Sequence, residues 1–132
     1  FPSGVTATAS KRHEYIRWSE KADRFIIESD YGSEFSVSSQ PMETLFALSH
    51  QDRVIYLNTF SKTISPSMRA GYMVLPRRLV TLFQQKLGFY SCSVPTFEQL
   101  VLTELLNSGD FERHINRERR ARRKALNSSA PH

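Results

Sequence analysis

Three short apolar runs, Phe25-Ile26-Ile27, Val54-Ile55-Tyr56-Leu57 and Tyr72-Met73-Val74-Leu75, alternate with stretches whose apolar residues recur at helical spacing. The runs are too short for helices and read as strands, the first two of them buried. Ser10 to about Ala22 reads as a helix capped by Ser10, with Tyr15, Ile16 and Trp18 as its apolar side and His13 exposed. Trp18 reads as a packing residue. Arg77 to about Leu87 reads as a second helix with Leu79, Val80, Leu82, Phe83 and Leu87 on one side, ended by Gly88. Pro95 to about Leu106 reads as a third, from the spacing of Phe97, Leu100, Val101 and Leu105 and the proline at its start. Asn107-Ser108-Gly109 closes it, and Asp110 caps a fourth helix with Phe111, His114 and Ile115 inward. Between Gly32 and Asp52 periodicity is weak. Met42 to Leu48 suggests one helical turn started by Glu43 or Thr44, and His50-Gln51-Asp52 a turn with His50 exposed. The excursion between the second and third strands is short, which favours an antiparallel return over a parallel crossover. The pattern is that of an α/β domain.

Composition narrows the class. With 132 residues and 39% apolar content, the chain can build one core. The formal charge of +5 comes largely from Arg113, Arg117, Arg119, Arg120, Arg122, Arg123 and Lys124. A nucleic-acid surface would carry such a segment. No aromatics are interleaved for stacking, so a solvated helix face is the favoured reading. Asn127 to His132 reads as a frayed end. The single cysteine, Cys92, excludes an internal disulfide and a cysteine-based zinc site. It reads as a buried small residue or a helix-edge thiol in a reducing compartment, and the expected location is cytoplasmic. No apolar run reaches membrane-spanning length, the N-terminus lacks the features of a signal peptide, and His114 has no companion at metal-ligand spacing.

The candidate chemistry lies between the second and third strands, in Thr59-Phe60-Ser61-Lys62-Thr63-Ile64-Ser65-Pro66-Ser67-Met68-Arg69-Ala70-Gly71-Tyr72. The hydroxyls of Thr59 and Ser61 with the Arg69 cation suit a phosphate, which needs donors and a fixed positive charge. A lysine beside a second cation, partly stripped of water, is poised to act as a nucleophile. Lysine chemistry next to a phosphate anchor suggests pyridoxal phosphate. On the residues alone, a solvated lysine in a serine-rich loop remains equally open.

This segment resembles the cofactor-lysine segment of fold type I pyridoxal-phosphate aminotransferases. It is most similar to the aminotransferase-like domain of GntR-type transcriptional regulators of the MocR group. Phe1-Pro2-Ser3-Gly4, Ile26 to Phe35 (with Tyr31-Gly32-Ser33-Glu34-Phe35), Arg53-Val54-Ile55-Tyr56 and Ser108 to Ile115 agree with it in order and spacing. The resemblance covers residues 1 to about 124. It implies part of a fold type I large domain: a mostly parallel sheet with one antiparallel strand and flanking helices, running into the start of a small domain. Residues 1–95 would be the C-terminal part of the cofactor-binding domain and 96–132 the helices leading onward. Such domains are considerably longer, so the resemblance implies a fragment. The rest of both domains, and in the regulators a winged helix-turn-helix, would lie outside it.

By resemblance, Lys62 would form the Schiff base with pyridoxal 5'-phosphate. Thr59, Ser61 and Arg69 would hold the phosphate, and Tyr31 the ring oxygen. The ligand would be an amine or amino acid, sensed as an effector or used as an aminotransferase substrate. DNA would be met only through the upstream domain, and the full-length protein would be a homodimer. Two positions depart from the pattern. The family's pyridine-facing aspartate is replaced by Ser29, which supplies no charge. Asp30 is adjacent but faces the other way along a regular strand, so it would substitute only with a local backbone rotation; otherwise it is a loop acid bonding nearby amides. Phe1 stands where aminotransferases carry an asparagine. Both departures favour the sensing reading over conventional transamination.

Overall fold

The computed structural model describes residues 7–30 and 43–128. Its elements are α1 (Ala9–Lys21), β1 (Ile26–Ser29), α2 (Leu45–Leu48), β2 (Val54–Thr59), α3 (Phe60–Thr63), β3 (Gly71–Val74), α4 (Arg77–Leu87), α5 (Thr96–Asn107) and α6 (Asp110–Ser128). The strands form one sheet in the order β1-β2-β3. β1 and β2 are parallel, with Ile26 opposite Val54 and Ser29 opposite Leu57. At the start of β3 the Phe60 amide donates to the Ala70 carbonyl at 2.9 Å. A Cβ on Gly71 would stand 3.0 Å from the Asn58 carbonyl oxygen, so this close approach favours glycine. Position numbers fall along β2 as they rise along β3, the sense of the antiparallel return expected from the short connection. None of the described helices is long and apolar enough to cross a membrane.

The described residues fall into two compact units: 7–30, 43–57 and 73–89 in the first, and 58–72 and 90–128 in the second. In the first, Thr8 rather than Ser10 caps α1, accepting from the Lys11 amide at 3.3 Å. Ile16 is 5% exposed and Ser19 is fully buried; the Ser19 hydroxyl donates to the Ile16 carbonyl at 2.7 Å, which satisfies it where no water reaches. Trp18 does not serve the core: it is 51% exposed, with the Arg24 guanidinium 4.5 Å over its ring. β1 is only half covered. Ile26 and Glu28 are partly buried, whereas Ile27 is 67% exposed, so this strand is not the fully buried one expected. On α4, whose limits match those expected, Leu79 and Phe83 are partly buried and Val80, Leu82 and Leu87 are exposed.

Glu28 joins three elements of this unit. Its carboxylate accepts from the Leu45 and Phe46 amides at 2.8 and 2.9 Å, the open donors at the start of α2, while Thr44 caps the Ala47 amide. Arg12 of α1 lies 3.6 Å from Glu28 and donates to the Glu43 carbonyl at 2.7 Å. Glu28→Ala removes two charge-assisted bonds and a largely covered ion partner. It should cost about 1–3 kcal/mol, read as a lower urea midpoint together with faster amide exchange at Leu45 and Phe46.

In the second unit, α5 and α6 pack together, burying Leu102 and Ile115. Phe97 and Leu100, expected on the inner face of α5, are 75% and 64% exposed; the covered face is centred on Leu102. Gly109, at φ 74°, turns the chain directly into α6, so Asp110 is the first residue of that helix and not the cap before it. Arg113, with the Ser108 hydroxyl adding to it, holds the Asp110 carboxyl below the usual carboxylate range. α6 continues to Ser128, past the point expected to fray. Cys92 is an exposed free thiol between α4 and α5, not a buried residue.

Candidate functional site

Thr59, Ser61, Lys62 and Arg69 belong to the second unit and open on one cleft of about 560 Å³, which Pro66, Ala70 and Gly71 also line. The local fold follows from the hydroxyls. Thr59 ends β2 in an extended conformation, and its Oγ1 accepts from the Ser61 amide at 3.2 Å, starting the single helical turn of α3. That turn carries Lys62, where a plain loop was expected. Thr59 also donates towards the Ala70 carbonyl at 3.1 Å, and Ser61 donates to the Met68 carbonyl at 2.6 Å. The two hydroxyls thus clamp the backbone on both sides of Arg69. Beneath them Thr63 is 2% exposed, and the Phe60 ring lies 5.3 Å from Tyr72 and 6.0 Å from Phe111.

Lys62 and Arg69 are both exposed at the cleft, so the loss of water anticipated for Lys62 is not seen. Arg69 has no hydrogen bond or ion pair among the described residues. An arginine without a carboxylate partner leaves its whole fork of donors available to an anion. The donor set therefore fits a phosphate ester that also carries an amine-reactive carbonyl: a guanidinium and hydroxyls for one end, a primary amine for the other. Cleft volumes of this size commonly hold cofactor-sized molecules. The hydroxyls are partly committed to the Met68 and Ala70 carbonyls, which weights phosphate binding towards Arg69. Ser61→Ala should therefore weaken binding of pyridoxal phosphate only about two- to tenfold when followed by absorbance titration, because the one proton of its hydroxyl is already given to the Met68 carbonyl and must be exchanged for the phosphate.

Asp30, from the first unit, follows β1. Its amide donates to the Leu57 carbonyl at 2.9 Å, and its carboxylate accepts from the Tyr56 hydroxyl at 2.6 Å. The carboxylate thus meets a side chain across the sheet, a contact not considered from sequence. The sequence reading missed Tyr56. The alternation of β2 was the available signal, but the partner depends on strand register. Tyr31 lies outside the described residues, as does Phe1. Among the described residues no group of three or more His, Cys, Asp or Glu could hold a metal ion.

No protein-family model matches the chain. It is similar to the uncharacterized HTH-type transcriptional regulator YdeL of Bacillus subtilis, with 38% identity over 124 residues, covering 94% of this chain and 27% of the relative. It is 31% identical over 120 residues to the probable rhizopine catabolism regulatory protein MocR of Rhizobium meliloti, covering 91% of this chain and 24% of that protein. Among solved structures, kynurenine aminotransferase of Pyrococcus horikoshii, in complex with PMP, superposes with a TM-score of 0.78 at 30% identity, over 89% of this chain and 29% of that one. The chain thus spans about a quarter of the length of the curated relatives it matches. It is a homologue of one segment of GntR/MocR-type regulators and of aminotransferases, and it carries the corresponding part of the fold type I architecture.

Proposed function

We propose that the chain is part of the effector-sensing, aminotransferase-like domain of a GntR/MocR-type regulator and that it holds pyridoxal 5'-phosphate at Lys62. The observation that carries this reading is the meeting of Lys62, Thr59, Ser61 and Arg69 on one cleft. Arg69 and the hydroxyls bind the phosphate, and Lys62 supplies the amine for covalent attachment. Tyr31 and Asp30 are assigned to the ring end. When bound, the cofactor supplies an aldehyde that captures primary amines and a ring that withdraws electrons. Residues 1–95 belong to the cofactor-binding domain and 96–132 lead towards the small domain. DNA contact and dimer formation belong to the full-length protein, and the location is cytoplasmic.

A second reading is an aminotransferase acting on an amino acid or amine, supported by the likeness to kynurenine aminotransferase. In it Lys62 also moves the proton at the substrate carbon. Ser29 weighs against it, because a neutral hydroxyl does not hold the pyridine nitrogen protonated. Cofactor-loaded chain mixed with an amino acid and a different 2-oxo acid, which accepts the amino group and returns the cofactor to its aldehyde form, separates the two readings. Sensing predicts a reversible absorbance change without oxo-acid product; accumulation of oxo acid over many turnovers would establish the enzyme.

A further inference from the structure

A second cavity, of about 440 Å³, lies elsewhere in the second unit, between Ile64 and the start of α6. Its wall is divided. Ile64, Leu105 and Phe111 are partly buried and give it apolar surface; Arg113, His114 and Arg117 project into it from one face of α6. Positions 113 and 117 are one turn apart and so share a face of the helix.

The charges on this wall do not cancel. Among the described residues, Asp110 is the one carboxylate lining the cavity, and it is engaged by Arg113 at 2.7 and 3.2 Å. Arg113 also donates to the Ser108 carbonyl at 3.1 Å. That pair is neutral as a unit. Arg117, in contrast, meets only the ring nitrogen Nδ1 of His114, at 3.2 Å, and forms no ion pair among the described residues. A neighbouring cleft of about 380 Å³ shares Arg113 and Arg117 and adds Arg120, so arginine side chains continue along the helix.

We propose that this cavity binds a small amphipathic carboxylate, one carrying an aromatic or branched apolar body, at a site separate from the Lys62 cleft. The carboxylate takes the guanidinium of Arg117, where a bidentate pair forms without displacing an internal partner. The apolar body lies against Ile64, Leu105 and Phe111. An inorganic anion would use the charge and forgo the apolar wall; a neutral apolar molecule would leave Arg117 unmatched. Size agrees, since cavities of a few hundred Å³ lined by apolar groups with a few polar ones suit small organic ligands. Phe111 also meets Phe60 edge to face, and Phe60 opens the turn bearing Lys62, so the site adjoins the lysine segment through one ring pair.

The test uses phenylacetate as probe, with acetate and 2-phenylethanol as partial probes, and calorimetry or saturation-transfer NMR on the full chain without pyridoxal phosphate. Phenylacetate should bind at least tenfold more tightly than either partial probe. Arg117→Ala should lose at least tenfold, and Arg117→Lys should recover part of it. Arg69→Ala, in the other cleft, should bind phenylacetate as the unaltered chain does. Arg117 is exposed, and unchanged far-UV circular dichroism will confirm that its variants keep the fold. No binding by the unaltered chain, equal binding by Arg117→Ala, or loss in Arg69→Ala would each overturn the proposal. Preference for acetate equal to that for phenylacetate would overturn it too, by reducing the cavity to a patch of charge.

Discussion

Replacing Arg69 with alanine should weaken binding of pyridoxal phosphate by roughly one to two orders of magnitude. The estimate follows from the site's division of labour. Hydrogen bonds to a charged group contribute about 1.5–3 kcal/mol, and each 1.4 kcal/mol is a factor of ten. Arg69 has no partner among the described residues to satisfy first, so its donors go to the phosphate undiminished. The hydroxyls of Thr59 and Ser61 are instead occupied with the Ala70 and Met68 carbonyls. Their contribution is partly to hold Arg69 in place, and their removal should cost less. Arg69→Lys keeps the charge but not the planar fork and should fall between. Pyridoxal without its phosphate gives the control. Its reaction with Lys62 should change far less between the unaltered chain and Arg69→Ala than that of pyridoxal phosphate, because it has no phosphate for the guanidinium to hold. If Arg69→Ala bound both compounds unchanged, the assignment of the phosphate end would be wrong.

The second large effect is on stability. Ile16→Ala should destabilise the chain by about 2–5 kcal/mol, the usual range for truncating a buried isoleucine. Ile16 is 5% exposed, and it shares the buried part of its unit with the apolar side chains of Val54 and Pro76. Small domains are stable by only about 5–15 kcal/mol, so a loss of this size moves the urea midpoint far towards zero. Trp18→Ala, although a larger deletion, should cost less: the ring is 51% exposed and packs under Arg24. Denaturant unfolding of both variants checks the order. A Trp18 variant less stable than the Ile16 variant would mean that the buried face of α1 has been misassigned.

That contrast shows where sequence legibility ended. Helical spacing placed α4 at its observed limits and α5 within a residue of them, because period and flanking Pro and Gly are local properties. Which apolar residues a helix buries is decided by its neighbours. Phe97 and Leu100 repeat correctly yet face outward, while Leu102 is covered. Ser10 and Asp110 are sound cap residues, but Thr8 and the left-handed Gly109 set where those helices begin. At the candidate site, the residue types announced an amine beside an anion anchor, and the structure brings Lys62, Arg69, Thr59 and Ser61 to one cleft. The bonds from the two hydroxyls to the Met68 and Ala70 carbonyls were not legible, since they exist only once the loop has closed. The bond between Asp30 and Tyr56 likewise depends on β1 and β2 lying parallel in one register.

The central claim is covalent capture of pyridoxal phosphate by Lys62, and borohydride trapping tests it most directly. The chain is mixed with the cofactor, reduced, digested and mapped by peptide mass. The account predicts one modified peptide, labelled at Lys62, and loss of that label without redistribution in Lys62→Ala. Label scattered over the surface lysines, or present elsewhere and absent from Lys62, would contradict it.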